Sequence, residues 1–318
     1  MLILAPMQGL TELLFRKAYH SSFPGAFDYA VSPFLSLTHG NLKDAEKKID
    51  DVLPWLNEDS MTVVPQLLGR EVEEFVDLSN RLYELGYGEV NWNMGCPMRR
   101  VAGKHRGSGI LPYPEEVREV LDGVVPKLKP ALSVKIRLGY RSPYEIDKII
   151  PILNDYPLKE VTIHPRIGKQ MYSGVPDLER MGEILPSLKH KVIYNGDICS
   201  VHDYKRIRTL FPDIKDVMIG RGVLYNPLLP VMIRQQCMED FPLDKTALDH
   251  TCSAGEFIVS LMNDIMALDV SQQAKVRKMK EYWCLFLKAV PGSEERKRKV
   301  LHADCLDDVF DLILDMTK

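Results

Sequence analysis

The chain has 318 residues, of which 45% are apolar and 27% are charged. That balance is typical of a globular protein and excludes a disordered chain, a fibre and a coiled coil. The formal net charge is −3, so any surface that binds nucleic acid must be a local patch of positive charge. No run of about 18 apolar residues occurs, so we expect no membrane span.

The six cysteines are widely spaced and form no CxxC pair. The sequence therefore predicts no metal site, and mostly unpaired thiols rather than a disulfide framework. The amino terminus lacks the charged segment and the long apolar segment of a signal peptide. We expect an intracellular, cytoplasmic protein, and no obligate protein partner is evident from the sequence.

Short β-branched runs recur through residues 1–230, with helical patterns between them. They predict eight strands: Leu2–Ala5, Tyr29–Ser32, Thr62–Leu68, Glu89–Asn93, Leu132–Arg137, Glu160–His164, Val192–Asn195 and Asp216–Ile219. Helices are predicted between them, for example over Glu71–Leu85 and Glu115–Leu128. Strands that alternate with helices indicate parallel βαβ units, and eight such units favour an α/β fold of the (β/α)8 TIM barrel type over an open doubly wound sheet.

The last part of the chain has few glycines and prolines, which predicts long helices. Ser253–Glu256 has the pattern of a capping box at the start of one helix, and further helices are predicted over Gln272–Val290 and Asp304–Met316. The apolar positions 276, 279, 283, 286, 287 and 290 form one stripe of the second helix. We place the boundary between a barrel of residues 1–240 and a C-terminal helical bundle of residues 241–318 near Pro242.

Polar residues stand at the end of seven of the eight predicted strands, where a barrel carries its chemistry. Any one of them could be a core side chain whose hydrogen bonds are satisfied. Together they indicate a shared ligand, because buried polar groups need partners. They include Gln8, Gln66, Asn93, Lys135, Arg137, His164, Arg166, Asn195, Asp197 and Arg221.

The residue types indicate the kind of ligand. Gly196 and the turn Gly220–Gly222 follow the last two strands, which is the usual phosphate site of phosphate-binding barrels. Lys135 and Gln66 would face a planar heterocycle, and a cation beside such a ring stabilises its reduced, anionic form, as in FMN. The absence of a Walker A motif and of a strand-linked GxGxxG disfavours a nucleoside triphosphate and a Rossmann-bound dinucleotide.

Cys96 differs from the other cysteines because it stands at a strand end, in the turn Gly95–Pro97. The basic, glycine-rich segment 99–109 follows, and such a segment can move and can bind phosphate groups. We therefore predict a chemical role for Cys96, the alternative being a small buried core residue. The other five cysteines are interpreted as ordinary structural residues.

These motifs together resemble those of the tRNA-dihydrouridine synthase family. The matching segments are Ala5–Met7, Gln66–Gly69, Asn93–Pro97, Ser133–Arg137, His164–Arg166, Tyr172–Gly174, Asn195–Asp197, Met218–Gly222 and Asn226–Pro227. The segment Arg277–Trp283 resembles the C-type bacterial subfamily. Asn91, Pro165 and Arg100 depart from the Asp, Gly and Lys that are usual in the family.

The resemblance implies an FMN-binding barrel, a helical tRNA-recognition domain, and NADPH or NADH as electron donor. The implied cofactor-binding residues are Pro6, Met7, Gln8, Gln66, Asn93, Lys135, His164, Asn195, Gly196, Asp197, Gly220 and Arg221. Hydride would be delivered to C6 of a uracil ring, and Cys96 would protonate C5 as the catalytic acid. The implied substrate-binding residues near the barrel are Arg99, Arg100, Arg137, Arg166 and Tyr172. The C-type likeness favours position 16 in the D-loop as the target uridine.

The tail supplies a local excess of positive charge. Residues 275–299 carry nine basic and three acidic side chains. We predict that Arg277, Lys278 and Lys280 bind RNA phosphates, the alternative being a solvated helix face. Three other functions stay open: an FMN-dependent reductase of a free small molecule, which needs no basic tail, a synthase that acts on rRNA, and a non-catalytic RNA-binding barrel.

Overall fold

The computed structural model describes residues 1–36, 49–237, 240, 252–289, 293–303 and 305–317. Within these residues, ten strands form one sheet in which every pairing is parallel. The strands are β1 (Leu2–Leu4), β2 (Tyr29–Val31), β3 (Leu35–Ser36), β4 (Val63–Val64), β5 (Gln66–Leu68), β6 (Glu89–Met94), β7 (Ala131–Gly139), β8 (Val161–Ile167), β9 (Val192–Asn195) and β10 (Asp216–Ile219).

The sheet closes into a barrel at Pro65. The strand order is β3-β5-β6-β7-β8-β9-β10-β1-β2-β4, so β4 and β5 lie near opposite ends of the order. Only Pro65 separates them in the chain, since β4 ends at Val64 and β5 begins at Gln66. The two ends of the sheet therefore meet, and the predicted TIM barrel is confirmed.

All eight predicted strands are present, with two local differences. The predicted strand Thr62–Leu68 is divided because Pro65 has no N–H to donate to the ladder, although its carbonyl still accepts a hydrogen bond from the Asn91 N–H at 2.9 Å. The two-residue strand β3 was not predicted, because so short a segment shows no periodic pattern.

Helices follow the strands around the outside of the barrel. They are α1 (Leu13–Ser22), α2 (Val72–Glu84), α3 (Arg99–Ala102), α4 (Pro114–Val124), α5 (Ile146–Leu153), α6 (Leu178–Ile184), α7 (Val201–Leu210), α8 (Arg221–Tyr225) and α9 (Leu229–Gln236). The helix predicted over Glu71–Leu85 is α2, which buries Phe75, Leu78 and Leu82 at helical spacing. The helix predicted over Glu115–Leu128 is α4, and a short 3-10 turn, Val125–Lys127, continues it.

The interior of the barrel has an apolar part and a polar part. Ile3, Val31, Val64, Ile193 and Met218 form a separate apolar cluster inside the ring. On β5, β6 and β7, the side chains of Gln66, Asn91, Asn93 and Ser133 instead form a wall of amides and a hydroxyl, joined by hydrogen bonds. A polar wall inside a barrel is stable only when its groups are paired, and the wall lies next to the candidate site.

Four helices form the described part of the tail. They are α10 (Ala254–Met266), α11 (Gln272–Phe286), α12 (Glu294–His302) and α13 (Leu306–Thr317). The capping box is confirmed, since Ser253 Oγ accepts from the Glu256 N–H at 3.2 Å and Glu256 Oε2 accepts from the Ser253 N–H at 2.6 Å. The prediction of three tail helices was wrong, because α12 buries only Val300 and shows no apolar stripe. Val290 and the predicted boundary near Pro242 lie outside the described residues.

The tail packs on α1 through aromatic rings. Phe257 of α10 meets Phe15 edge to face at 5.7 Å between ring centroids, and Tyr282 of α11 stacks on Phe15 at 6.0 Å. The Tyr282 hydroxyl donates to the carbonyl of Leu10, in the segment that follows β1. The tail is thereby held beside the carboxyl ends of the strands. No described helix combines the length and the apolar character that crossing a bilayer requires.

Candidate active site

A cavity of about 380 Å³ lies at the carboxyl ends of the strands, within the range typical of small-ligand sites. Most of the predicted site residues line it. They are Pro6, Met7, Gln8, Asn93, Cys96, Arg100, Lys135, Arg137, His164, Tyr172, Asn195, Gly196, Asp197, Gly220 and Arg221. Gln66, Arg99 and Arg166 are not among the lining residues, and Arg277, Lys278 and Lys280 belong to α11.

Gln66 lies behind the cavity wall in a ladder of side chains. Its Nε2 donates to Asn91 Oδ1 at 2.8 Å, and its Oε1 accepts from Asn93 Nδ2 at 2.7 Å. Asn91 Nδ2 donates to Ser133 Oγ at 2.9 Å. Asn93 Oδ1 accepts the backbone N–H of Cys96 at 2.8 Å. Each amide is held in one orientation, so the ladder fixes the turn that carries Cys96.

The loop that follows Cys96 folds back on it. The Cys96 carbonyl accepts hydrogen bonds from Ser108 N and from Ser108 Oγ, both at 3.0 Å. Gly107 has φ +57°, and a Cβ atom there would lie 2.6 Å from the Cys96 carbonyl oxygen, so only glycine fits. The sequence analysis did not identify either residue, and the only signal was the glycine content of segment 99–109.

The thiol of Cys96 is buried, and this burial raises its pKa. The backbone N–H of Met98 and the nearby charges of Arg137, Arg100 and Lys135 act in the opposite direction but do not outweigh the burial. The group therefore keeps its proton at neutral pH, as the predicted role of an acid requires.

Two cations of β7 face the cavity. Burial, and then repulsion from Arg137, lowers the pKa of Lys135 to about 7. Burial also lowers the pKa of Arg137 to about 10, and its guanidinium donates to the carbonyls of Gly95 at 3.0 Å and Ile167 at 2.9 Å. Burial and the same cations hold the pKa of His164 well below its usual range, so this imidazole is neutral.

Asp197 joins two arginines at the other side of the cavity. Arg166 donates to Asp197 Oδ1 at 2.9 Å and to the carbonyl of Gly174 at 2.7 Å, and Arg221 forms a second ion pair with Asp197. Burial acts to raise the pKa of Asp197, but these arginines outweigh it and the pKa is lowered. The ring of Tyr172 lies 4.7 Å from the Arg221 guanidinium carbon.

The charges of the lining residues are strongly unequal. Arg100, Lys135, Arg137 and Arg221 are basic, whereas Asp197 is the only acidic residue in the described lining, and two arginines already engage it. A cavity with this excess fits a ligand with anionic groups. Gly196 and Gly220 lie beside Arg221 in the wall, where close backbone approach suits a phosphate. FMN, which is planar and carries a phosphate, fits this donor set.

Several lining residues were not singled out by the sequence analysis, among them Phe34 and Cys199. Phe34 lies after β2, in a segment without a recognisable motif. Cys199 lies two residues after Asp197, and was interpreted as a structural thiol. The described residues contain no group of three metal-binding side chains.

The predicted RNA-binding cations of α11 differ in their surroundings. Lys278 Nζ forms an ion pair with Glu12 at 2.8 Å and donates to the carbonyl of Gly9 at 3.2 Å. Lys280 Nζ donates to the carbonyl of Leu301 at 2.9 Å. Arg277 and Arg99 are exposed, and neither has an ion pair or a side-chain hydrogen bond to the described residues.

Residues 3–304 match the family model described as Dihydrouridine synthase (Dus). A probable tRNA-dihydrouridine synthase of Staphylococcus aureus is 26% identical over 98% of this chain and 91% of its own length. A tRNA-dihydrouridine synthase B of Pasteurella multocida is 28% identical over 79% of this chain and 74% of its own length.

Solved structures share the fold at low sequence identity. Histamine dehydrogenase from Rhizobium sp. 4-9 matches with a TM-score of 0.56 and 10% identity, over 83% of this chain and 48% of that chain. A variant of NCR from Zymomonas mobilis matches with a TM-score of 0.50 and 11% identity, over 78% of this chain and 93% of that chain. The family match covers nearly the whole chain, barrel and tail together, and the chain belongs to the dihydrouridine synthase family.

Proposed function

We propose that the protein is a tRNA-dihydrouridine synthase that reduces the C5=C6 bond of a uridine in tRNA, with FMN as cofactor and NADPH as electron donor. The observation that carries the proposal is the position of Cys96, whose thiol lies at the wall of a cation-lined cavity at the carboxyl ends of the barrel strands, where burial raises its pKa. The names of the curated relatives support the same reaction.

FMN, when bound, would supply the hydride that is added to C6 of the uracil ring. Arg221, with the backbone at Gly196 and Gly220, would hold its phosphate, because these groups combine a guanidinium with closely approachable backbone. Lys135 and Asn93 would hold the polar edge of the ring. The remaining cofactor residues predicted from the resemblance stay in the proposal, with Gln66 acting through Asn93.

Cys96 would donate a proton to C5 of the uracil. A thiol that keeps its proton at neutral pH is suited to this step, whereas a thiolate would not be. Arg137 and Tyr172, which line the cavity, would contact the uracil and stabilise charge on its carbonyl groups. The target base must leave its stack to reach the cavity, since a stacked base cannot enter it.

The tail would bind the RNA. α11 contacts the segment after β1, so its basic residues lie near the barrel mouth. We propose that residues 241–318 act as the tRNA-recognition domain of a cytoplasmic enzyme and that residues 1–240 carry the reaction. We also propose position 16 of the D-loop as the target, on the likeness of Arg277–Trp283 to the C-type subfamily.

Cys96→Ala tests the proposal. The wild type should be yellow, release FMN on denaturation and form dihydrouridine in tRNA when NADPH is supplied. Cys96→Ala should keep FMN and its reduction by NADPH but lose dihydrouridine formation, because the thiol acts only on the uracil. Cys305→Ala, which changes an exposed thiol of the tail, is the matched control and should keep full activity.

Two results would contradict the proposed flavin mechanism with Cys96 as the acid. A colourless protein that cannot be loaded with FMN refutes the flavin mechanism. Near-normal dihydrouridine formation by Cys96→Ala refutes the role of the thiol. Reduction of a free pyrimidine with no reaction on tRNA would support the small-molecule reductase instead, and reaction on rRNA alone would support the rRNA alternative.

A further inference from the structure

Asn91 lies in the polar wall under the cavity and is 2% exposed. Its side chain accepts from Gln66 Nε2 at 2.8 Å and donates to Ser133 Oγ at 2.9 Å. Both hydrogen bonds are made by an uncharged amide. The layer of side chains beneath the cavity is therefore neutral on strands β5, β6 and β7.

Lys135 stands directly above this neutral layer. The register of β6 and β7 pairs Asn91 with Ser133 and Asn93 with Lys135, so Asn91 is a diagonal neighbour of Lys135. The titratable groups around the Lys135 amine are Arg137 on the same strand, Cys96 after β6 and His164 on β8.

Within the described part of the chain, no carboxylate neutralises Lys135. Among the residues that the structure describes, its amine has no ion pair and no hydrogen bond. The one acidic residue of the described lining, Asp197, is paired with Arg166 and Arg221. The Lys135 amine is thus surrounded by protein except where it faces the cavity. When it is protonated, the negative charge that balances it must come from a ligand that enters the cavity.

We propose that Asn91 is a positioning residue that keeps the layer under Lys135 uncharged, so that binding of an anionic ligand in the cavity is coupled to protonation of the Lys135 amine. The proton comes from the solvent and ends on Lys135 Nζ, and no other bond is made or broken. The inference rests on the proposed flavin-binding role of Lys135.

The pKa of Lys135, lowered to about 7 by burial and by Arg137, supports this coupling. At pH 7 about half of the ligand-free molecules hold the amine neutral, and negative charge beside it favours the ammonium form. Binding at pH 7 should therefore take up about 0.5 proton per ligand. The uptake should fall below pH 6, where the amine is already charged, and rise toward pH 8.

Asn91→Asp changes the charge of the side chain at this position while keeping its size and shape. The new carboxylate has the same size and can accept from Gln66 Nε2 and from a rotated Ser133 hydroxyl. It places a negative charge one diagonal step from Lys135, which should raise the pKa of the amine because an opposite charge favours the ammonium form. Lys135 would then be charged before the ligand arrives.

The experiment is calorimetric titration of FMN into the apoprotein at pH 7, in two buffers with different ionisation heats. The difference between the buffers measures the protons taken up per FMN. We expect about 0.5 more protons for the wild type than for Lys135→Met, and a clearly smaller excess over Lys135→Met for Asn91→Asp. Protonation of the FMN phosphate is common to all variants and cancels in the comparison.

Two controls complete the design. Asn263→Asp makes the same chemical change at an exposed site of α10 and should keep the wild-type uptake. Asn91→Asp in the Lys135→Met background should change nothing further, because the titrating amine is gone. An uptake by Asn91→Asp equal to that of the wild type overturns the role of Asn91, and equal uptake by the wild type and Lys135→Met overturns the role of Lys135.

The failure of this inference can be distinguished from the failure of the proposed function. If the wild type binds FMN but shows no uptake that depends on Lys135, the coupling is wrong and the flavin role stands. If the wild type binds no FMN in either buffer, both the proposed function and the coupling that rests on it are wrong.

Discussion

Replacing Asp197 by asparagine removes the carboxylate that neutralises Arg166. The Arg166 side chain is wholly buried, while that of Asp197 is 31% exposed. Breaking a buried ion pair costs about 3–5 kcal/mol, because it leaves an uncompensated charge in the interior. The carbonyls of Ser173 and Gly174 still accept from Arg166, and water reaches Asp197. We therefore expect the free energy of unfolding to fall by about 2–3 kcal/mol.

Urea unfolding of the apoprotein measures this loss, with Asp155→Asn as the matched control. Asp155 pairs with Arg118 at 2.8 Å, but both side chains are about half exposed, so that substitution should leave the free energy of unfolding nearly unchanged. The pKa of Asp197 is lowered in the folded state, so its stabilisation is present above the unfolded pKa of about 3.9 and is lost as the pH falls through the folded pKa. The difference from the wild type should shrink at low pH. A loss at pH 7 no larger than that of Asp155→Asn would show that the Arg166–Asp197 pair stabilises the fold no more than an exposed pair does.

Gly107→Ala should cost at least about 2 kcal/mol, because the positive φ disfavours alanine and the new methyl group meets the Cys96 carbonyl. Faster alkylation of Cys96 should accompany the loss, and Gly88→Ala, where space is open, should change neither property. Arg277→Gln should lower tRNA affinity and reduce the slope of log affinity against log salt by about one unit, since Arg277 is free to meet phosphate. An unchanged salt slope for Arg277→Gln would show that this side chain is only solvated and does not bind phosphate. Lys278→Met should instead weaken the contact of the tail with the barrel, which would lower the midpoint of urea unfolding.

The order of the strands and the edge that carries the site could be predicted from the sequence. Parallel strands of a barrel all end at the same rim, so residues such as Asn93, Lys135 and Asn195 had to converge there. The local motif around Cys96 predicted its position at this rim, and the structure places it in the cavity wall, where Cys199 also lies. The apolar stripe of α11 likewise predicted its buried face, because helical spacing is a property of the local sequence.

Other features depended on partners that are distant along the chain. Gln66 belongs to the ladder behind the cavity because Asn91 and Asn93 face it from the next strand. Lys278 forms an ion pair with Glu12, 266 residues away, and its basic character alone did not predict that. α12 buries one side chain, that of Val300, so its sequence shows no repeated spacing of apolar residues that would predict a helix.

The charge state of the site shows most clearly the difference between features that local sequence predicts and features that depend on contacts across the fold. The ionisable groups at the strand ends could be identified from the chain alone, since each follows an apolar strand. The fold pairs Asp197 with Arg166 and Arg221 and leaves Lys135 without a carboxylate partner among the described residues, and the chain alone did not predict this. The physical reason is that a pKa depends on burial and on charges across the barrel, and neither is a property of the neighbouring residues in the chain.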